Sequence, residues 1–140
     1  LLAASLGLPA GTIAGVLADF GRERRDNPGR LERWTIRGAE VLIDYAHNPE
    51  GLAGLLAIAD AMRTRSGGRL HVLLGQAGNR DDDAIRELAA VAAAARPDAV
   101  VLKDMQGYLR GRLPGEVPQL LREELLSRGL RDGSLRTVLD

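Results

Sequence analysis

Hydrophobic positions change their period several times along this chain, and the changes mark its elements. Ile13, Val16, Leu17 and Phe20 recur at helical spacing. With Leu2, Leu6 and Leu8 they predict one or two short helices over residues 1–20, with Gly11-Thr12 as a cap-like start. Residues 21–30 are polar and hold the turn signal Pro28-Gly29, so they read as a linker. Leu31 to Ile36 alternates partly and reads as a strand, Arg37-Gly38 as a turn, and Glu40 to Asp44 as an apolar run of the buried-strand type. Leu52, Leu55, Leu56, Ala59 and Met62 share one face of a helix that follows Asn48-Pro49 and stops at Ser66-Gly67-Gly68.

The second half repeats the alternation. Leu70 to Leu74 reads as a buried strand closed by Gly75, and Ile85, Leu88, Ala89, Ala92 and Ala95 mark a helix. Ala99 to Leu102 is a third buried strand, Val117, Leu120, Leu121 and Leu125 mark a helix stopped by Gly129, and Leu135 to Leu139 begins a last strand. Strands alternating with helices predict an α/β fold, a three-layer Rossmann-like, mostly parallel sheet with helices on both faces. Ligands of such sheets bind beyond the carboxyl ends of the strands, which selects the loops after Asp44, Gly75 and Lys103.

Composition narrows the chemistry. A chain of 140 residues with 45% hydrophobic side chains can build one domain and a short appendage. Its 19 basic residues balance its 19 acidic ones, so no basic footprint for nucleic acid exists at the level of the chain. Without cysteine there is no disulfide scaffold, thiolate zinc site or cysteine nucleophile, which fits a cytoplasmic protein. Leu1 to Ala10 is too short to span a bilayer and lacks the basic start of a signal peptide, so no membrane partner is expected. The opening Leu-Leu-Ala-Ala, mid-pattern and without Met, reads as the start of a fragment. Two histidines without ligand spacing predict no metal site, and the serines lack a partnered base.

Four polar segments remain. In Asp44-Tyr45-Ala46-His47-Asn48-Pro49 a strand runs into an acid, a His and a helix start. Asn48 and Pro49 suit an N-cap and first helical position, while a carboxylate at a strand end suits a ribose or an Arg. Gly29-Arg30-Leu31-Glu32 precedes the first strand. Gly75-Gln76-Ala77-Gly78-Asn79-Arg80-Asp81-Asp82-Asp83 resembles a phosphate cradle but is neither a dinucleotide fingerprint nor a Walker loop. Its acids equally suit a helix N-terminus. Lys103 to Arg112 ends in Arg110-Gly111-Arg112, either carboxylate binders or a solvated loop.

Together these segments resemble the C-terminal domain of the Mur ligase family, found in muramyl tripeptide ligases and cyanophycin synthetases. The hexapeptide from Asp44 is similar to the family's Asp-Tyr-Ala-His-Asn-Pro hallmark. Gly29-Arg30-Leu31-Glu32 matches its Gly-Arg-x-Glu element, and Gly75 to Asp81 its Gly-x-Gly-Gly-[Asn/Asp]-Arg-Asp loop, with Ala77 in place of a common Gly. The Asp-Asn-Pro-Arg motif of tripeptide-forming ligases is absent, and Arg110-Gly111-Arg112 before Gly115-Glu116 is closer to the cyanophycin synthetase branch.

The resemblance implies an ATP-dependent carboxylate–amine ligase working through an acyl phosphate, with ATP and magnesium. It assigns Arg30 to the ATP phosphates as the catalytic contribution, and Asp44 to the ribose, with Asn48, His47 and Tyr45 beside the nucleotide. Asn79, Arg80, Asp81, Arg110 and Arg112 would bind the amino-acid substrate. It further implies that residues 1–20 are a helical remnant of the central ATPase domain and residues 21–140 the C-terminal domain. The phosphate loop and the metal ligands would lie in the central domain; central and N-terminal domains would be this chain's partners, and the fragment alone would be inactive. The pathway would be wall peptide (peptidoglycan biosynthesis) or a cyanophycin-like polymer. The alternatives are a stand-alone nucleotide-binding or regulatory module and, less compatible with the loop after Asp44, a dinucleotide oxidoreductase.

Overall fold

The computed structural model describes residues 2–21, 23 and 26–139. Of the expected linker, Arg22, Arg24 and Arg25 lie outside the described residues, as do Leu1 and Asp140. The backbone packs as two units, Leu1–Tyr45 and Ala46–Asp140.

The first unit holds helices α1 (Leu2–Ser5) and α2 (Ala10–Asp19) and strands β1 (Glu32–Ile36) and β2 (Ala39–Ile43). α2 begins before the expected Gly11-Thr12 start, with Pro9 at the N-cap and no side-chain cap bond. Within the linker, the Asp26 carboxylate reaches back to accept the N–H groups of Gly21 and Glu23. β1 and β2 pair antiparallel from Glu32–Ile43 to Ile36–Ala39. Arg37 and Gly38 both carry positive φ, 50° and 82°, which is the type I′ geometry of a two-residue hairpin. Glu40 clamps the hairpin through Arg33 Nε (2.6 Å) and Thr35 Oγ1 (2.8 Å), and these bonds lower its pKa, the Arg33 bond most. The expectation of a buried strand over 40–44 is therefore corrected. This run is a half-exposed hairpin arm, outside the parallel sheet. An apolar run of five residues does not by itself report which strand it pairs with.

The second unit carries α3 (Pro49–Ser66), β3 (His71–Leu74), α4 (Asp82–Ala94), β4 (Ala99–Lys103), α5 (Glu116–Ser127) and β5 (Leu135–Val138), with short 3₁₀ turns at Gln106–Tyr108 and Asp132–Ser134. Local chemistry sets the helix limits. Asn48 caps α3 by accepting from Gly51 N (2.8 Å), Pro49 opens it, and Gly67 at φ 64° closes it. Asp81 caps α4 by accepting from Ala84 N (2.8 Å). Leu130 N to Leu125 O and Gly129 N to Leu126 O end α5 at a glycine with φ 91°.

β3, β4 and β5 form a parallel sheet in that order. Right-handed crossovers that step the same way each time place their helices on one face, and α4 packs along both α3 and α5. Val72, Leu74, Val100, Leu102 and Leu135 point into this helical layer and meet Ile85, Leu88, Leu121 and Leu125, all buried. The other face carries His71, Leu73, Lys103 and Arg136, all exposed, with Leu73 at 67%. Helices on both faces were expected. Among the described residues of this unit one helical layer covers one face, because the strand order never reverses.

Candidate functional site

Two clusters hold the residues singled out by sequence, one in each unit.

In the first unit the Gly29-Arg30-Leu31-Glu32 element is a tight turn. Gly29 N donates to Glu32 Oε1 (2.5 Å), Arg30 N to Asn27 O (3.1 Å), and Gly29 has φ 71°. Leu31 is also left-handed, φ 48°, a conformation that costs a non-glycine residue roughly 1–2 kcal/mol. That backbone is held by a charge-assisted bond, Leu31 N to Asp44 Oδ2 at 2.7 Å. The Arg30 guanidinium carbon lies 5.2 Å from the centre of the Tyr45 ring, within cation–π range. Two motifs separate in sequence thus meet: Arg30 with Tyr45, and Leu31 with Asp44.

The second cluster caps the parallel sheet at its carboxyl end. The loop after β3 and the loop after β4 touch through their backbones. Gly78 N donates to Tyr108 O (2.9 Å), and a Cβ at Gly78 would stand 2.0 Å from the Leu109 carbonyl oxygen. Gly78 does not have a positive φ; space, rather than torsion, demands glycine there. Arg112, its side chain 16% exposed, crosses between the loops. Its Nε donates to Gly78 O (3.0 Å), its Nη2 to Arg80 O (2.8 Å) and Asp82 (2.7 Å), and its Nη1 to Glu116 (2.6 Å). The bonds to Asp82 and then Glu116 raise the Arg112 pKa. Glu116 is lowered, first by the Leu113 N–H and then by Arg112. Arg110 stacks over Tyr108, 5.2 Å from the ring centre. Asn79 and Arg80 are exposed, and no ion pair of Arg80 occurs among the described residues.

His47 and Asn48 open the second unit. The His47 carbonyl accepts from Gln76 Nε2 (3.2 Å), which ties the segment before α3 to the loop after β3. Two side chains that sequence did not single out do much of the holding. Gln76 is 6% exposed, and Asp104 is 2% exposed and accepts from Met105 N (3.1 Å) and Gly115 N (2.7 Å), which closes the loop at its base. Their signal was a polar residue one or two positions beyond an apolar strand. Four of the residues singled out have structural duties of their own: Asp44 holds the Leu31 turn, Asn48 and Asp81 are helix caps, and Arg112 is an internal brace. No group of three His, Asp or Glu side chains that could hold a metal ion occurs among the described residues. No helix among them is long and apolar enough to cross a membrane.

Residues 29–136 match the family described as Mur ligase, glutamate ligase domain, a span that opens on the Gly-Arg-Leu-Glu turn. The chain is 38% identical over 104 residues, 70% of its length, to a UDP-N-acetylmuramoyl-L-alanyl-D-glutamate–2,6-diaminopimelate ligase of Parasynechococcus marenigrum. It is 36% identical over 138 residues, 94% of its length, to the ligase of the same name from Prochlorococcus marinus. It is also 32% identical over 144 aligned positions, 99% of its length, to a cyanophycin synthetase of Geminocystis herdmanii. It spans 19%, 24% and 16% of those relatives, about a fifth of their length. The chain therefore belongs to the Mur ligase C-terminal, or glutamate ligase, domain family.

Proposed function

We propose that this chain serves as the C-terminal domain of an ATP-dependent carboxylate–amine ligase. In that reaction the γ-phosphoryl group of ATP passes to a substrate carboxylate, giving an acyl phosphate and ADP. The amine of an amino acid attacks the acyl carbon, the carbon–oxygen bond to phosphate breaks, and the amide nitrogen loses a proton. The relatives' names divide between a diaminopimelate ligase and cyanophycin synthetase, so both product classes belong to this reading.

The observation that carries it is the meeting of Asp44 with Leu31 and of Arg30 with Tyr45. A guanidinium resting on a ring keeps its in-plane fork for phosphate oxygens, and Arg30 is assigned that role. A carboxylate at the end of a strand is a suitable acceptor for a ribose hydroxyl, and Asp44 is assigned that role. Tyr45, His47 and Asn48 are assigned to the surroundings of the nucleotide. In the second unit Asn79, Arg80 and Arg110 are assigned to the carboxylate of the amino acid, with Asp81 fixing the loop from the helix side. Magnesium would neutralise the phosphates. The described residues supply no donor set for it, and its ligands are assigned to the central domain.

The experiment is ADP release by the full-length protein. Each common amino acid and 2,6-diaminopimelate are offered with UDP-N-acetylmuramoyl-L-alanyl-D-glutamate or with cyanophycin as acyl donor. ATP turnover that requires both an acyl donor and one amino acid supports the reading, and this 140-residue chain alone is expected to release no ADP. Nucleotide binding without turnover by the full-length protein would favour a regulatory module instead.

A further inference from the structure

We propose that Arg112 is a positioning residue which latches the loop after β3 to the loop after β4, so that Arg80 and Arg110 keep a fixed spacing before any substrate arrives. This rests on the assignment of those two guanidiniums to the amino-acid carboxylate.

The geometry is specific. One guanidinium reaches acceptors on three segments: the carbonyls of Gly78 and Arg80 in the first loop, Asp82 at the start of α4, and Glu116 at the start of α5. Both carboxylates are themselves placed. Glu116 also accepts the Leu113 N–H (3.0 Å), and Asp82 sits beside the Asp81 cap of α4. The backbones close behind this fork through Gly78 N to Tyr108 O. Arg80 is thus held at its own carbonyl on one loop, and Arg110 is next to Leu109, which meets Gly78, on the other. Four acceptors occupy the fork of Arg112, which therefore acts through its neighbours rather than on the substrate. Lysine cannot replace it, because one ammonium nitrogen does not span acceptors that three separate guanidinium nitrogens serve.

The latch and the carboxylate reading are separated by two measurements. In this chain, without ligand, the ¹⁵N signal of the Arg112 Nε–H is expected to exchange with solvent at least tenfold more slowly than that of Arg136, which is exposed. In the full-length ligase, with the amino acid that gives the highest turnover in the panel above, Arg112→Ala is expected to raise the KM for the amino acid tenfold or more. The KM for ATP should stay within twofold, and Arg112→Lys should recover little. Gly78→Ala, which parts the loops without removing a charge, should reproduce the split. An active enzyme in which Arg112→Ala moves both KM values alike, or neither, overturns the latch and leaves the ligase reading intact. Absence of amino-acid-dependent turnover in the wild type removes the ligase reading and the positioning role together. Fast Nε exchange removes the latch alone.

Discussion

Asp44 accepts the backbone N–H of Leu31 at 2.7 Å, and so one carboxylate holds the turn that presents Arg30. Hydrogen bonds to charged groups are worth about 1.5–3 kcal/mol when protected, and less at an exposed site such as this one. Asp44→Ala is expected to destabilise the first unit by about 1 kcal/mol, and Asp44→Asn, which keeps an acceptor, by less. Urea unfolding followed at Trp34, half-buried on the adjoining strand, reads the difference. Equal losses for both variants would mean the bond to Leu31 contributes nothing.

Gly78 and Gly54 make a matched pair. Neither has a positive φ, but a Cβ at Gly78 meets the Leu109 carbonyl at 2.0 Å, whereas at Gly54, inside α3, it meets nothing within 4 Å. Gly78→Ala should cost about 1–3 kcal/mol by forcing the two loops apart. Gly54→Ala should gain roughly 0.5–1 kcal/mol from helix propensity. Thermal melts of the two variants check both signs.

The one-sided sheet predicts unequal tolerance on its two faces. Leu102→Ala, on the buried side, is expected to lose about 2–5 kcal/mol. Leu73→Ser, one strand over on the open side, should stay within about 0.5 kcal/mol in this chain. A large loss at Leu73 would contradict the assignment of the open face.

Glu116 supplies a pH test. Its pKa is lowered by the Leu113 N–H and by Arg112, so the folded state favours its charged form. The stabilisation is present above the ordinary glutamate value, about 4.3, and is lost as pH falls through the lowered folded value. Hydrogen exchange at the Leu113 amide should accelerate below that range beyond the intrinsic pH trend. Glu116→Gln should exchange faster at neutral pH and lose the added acid dependence.

Sequence made some of this legible, and the limits have physical causes. The helix at Pro49 could be read because Asn48, Pro49 and Gly67 act locally, through backbone groups within a few residues. β3, β4 and β5 were visible as apolar runs between turns. The place of β2 was not, since Ala39–Ile43 pairs by register with its hairpin neighbour and an apolar run does not encode its partner. The same limit hid the open face of the sheet: Leu73 is as apolar as Leu74, yet one is exposed and the other buried. In the candidate site, Asp44 stood out because its hexapeptide is fairly specific after a strand, and Arg30 only through its distance ahead of that hexapeptide. The engagement of Arg112 did not, because its partners Gly78, Asp82 and Glu116 come from both sides of it in sequence and meet only after β3 and β4 have paired. Gln76 and Asp104 drew no notice for the same reason: a buried polar residue shows its purpose only through its partner.

In the proposed ligase, the turn held by Asp44 would deliver the Arg30 guanidinium to the phosphates of ATP. The most direct test is kcat for ADP release by the full-length protein carrying Arg30→Ala, with Arg37→Ala, in the exposed hairpin turn, as the control. A hundredfold or larger fall for Arg30→Ala, on the scale of losing one transition-state donor, with an unchanged rate for Arg37→Ala, is the predicted result. Full activity of the Arg30→Ala enzyme would contradict it.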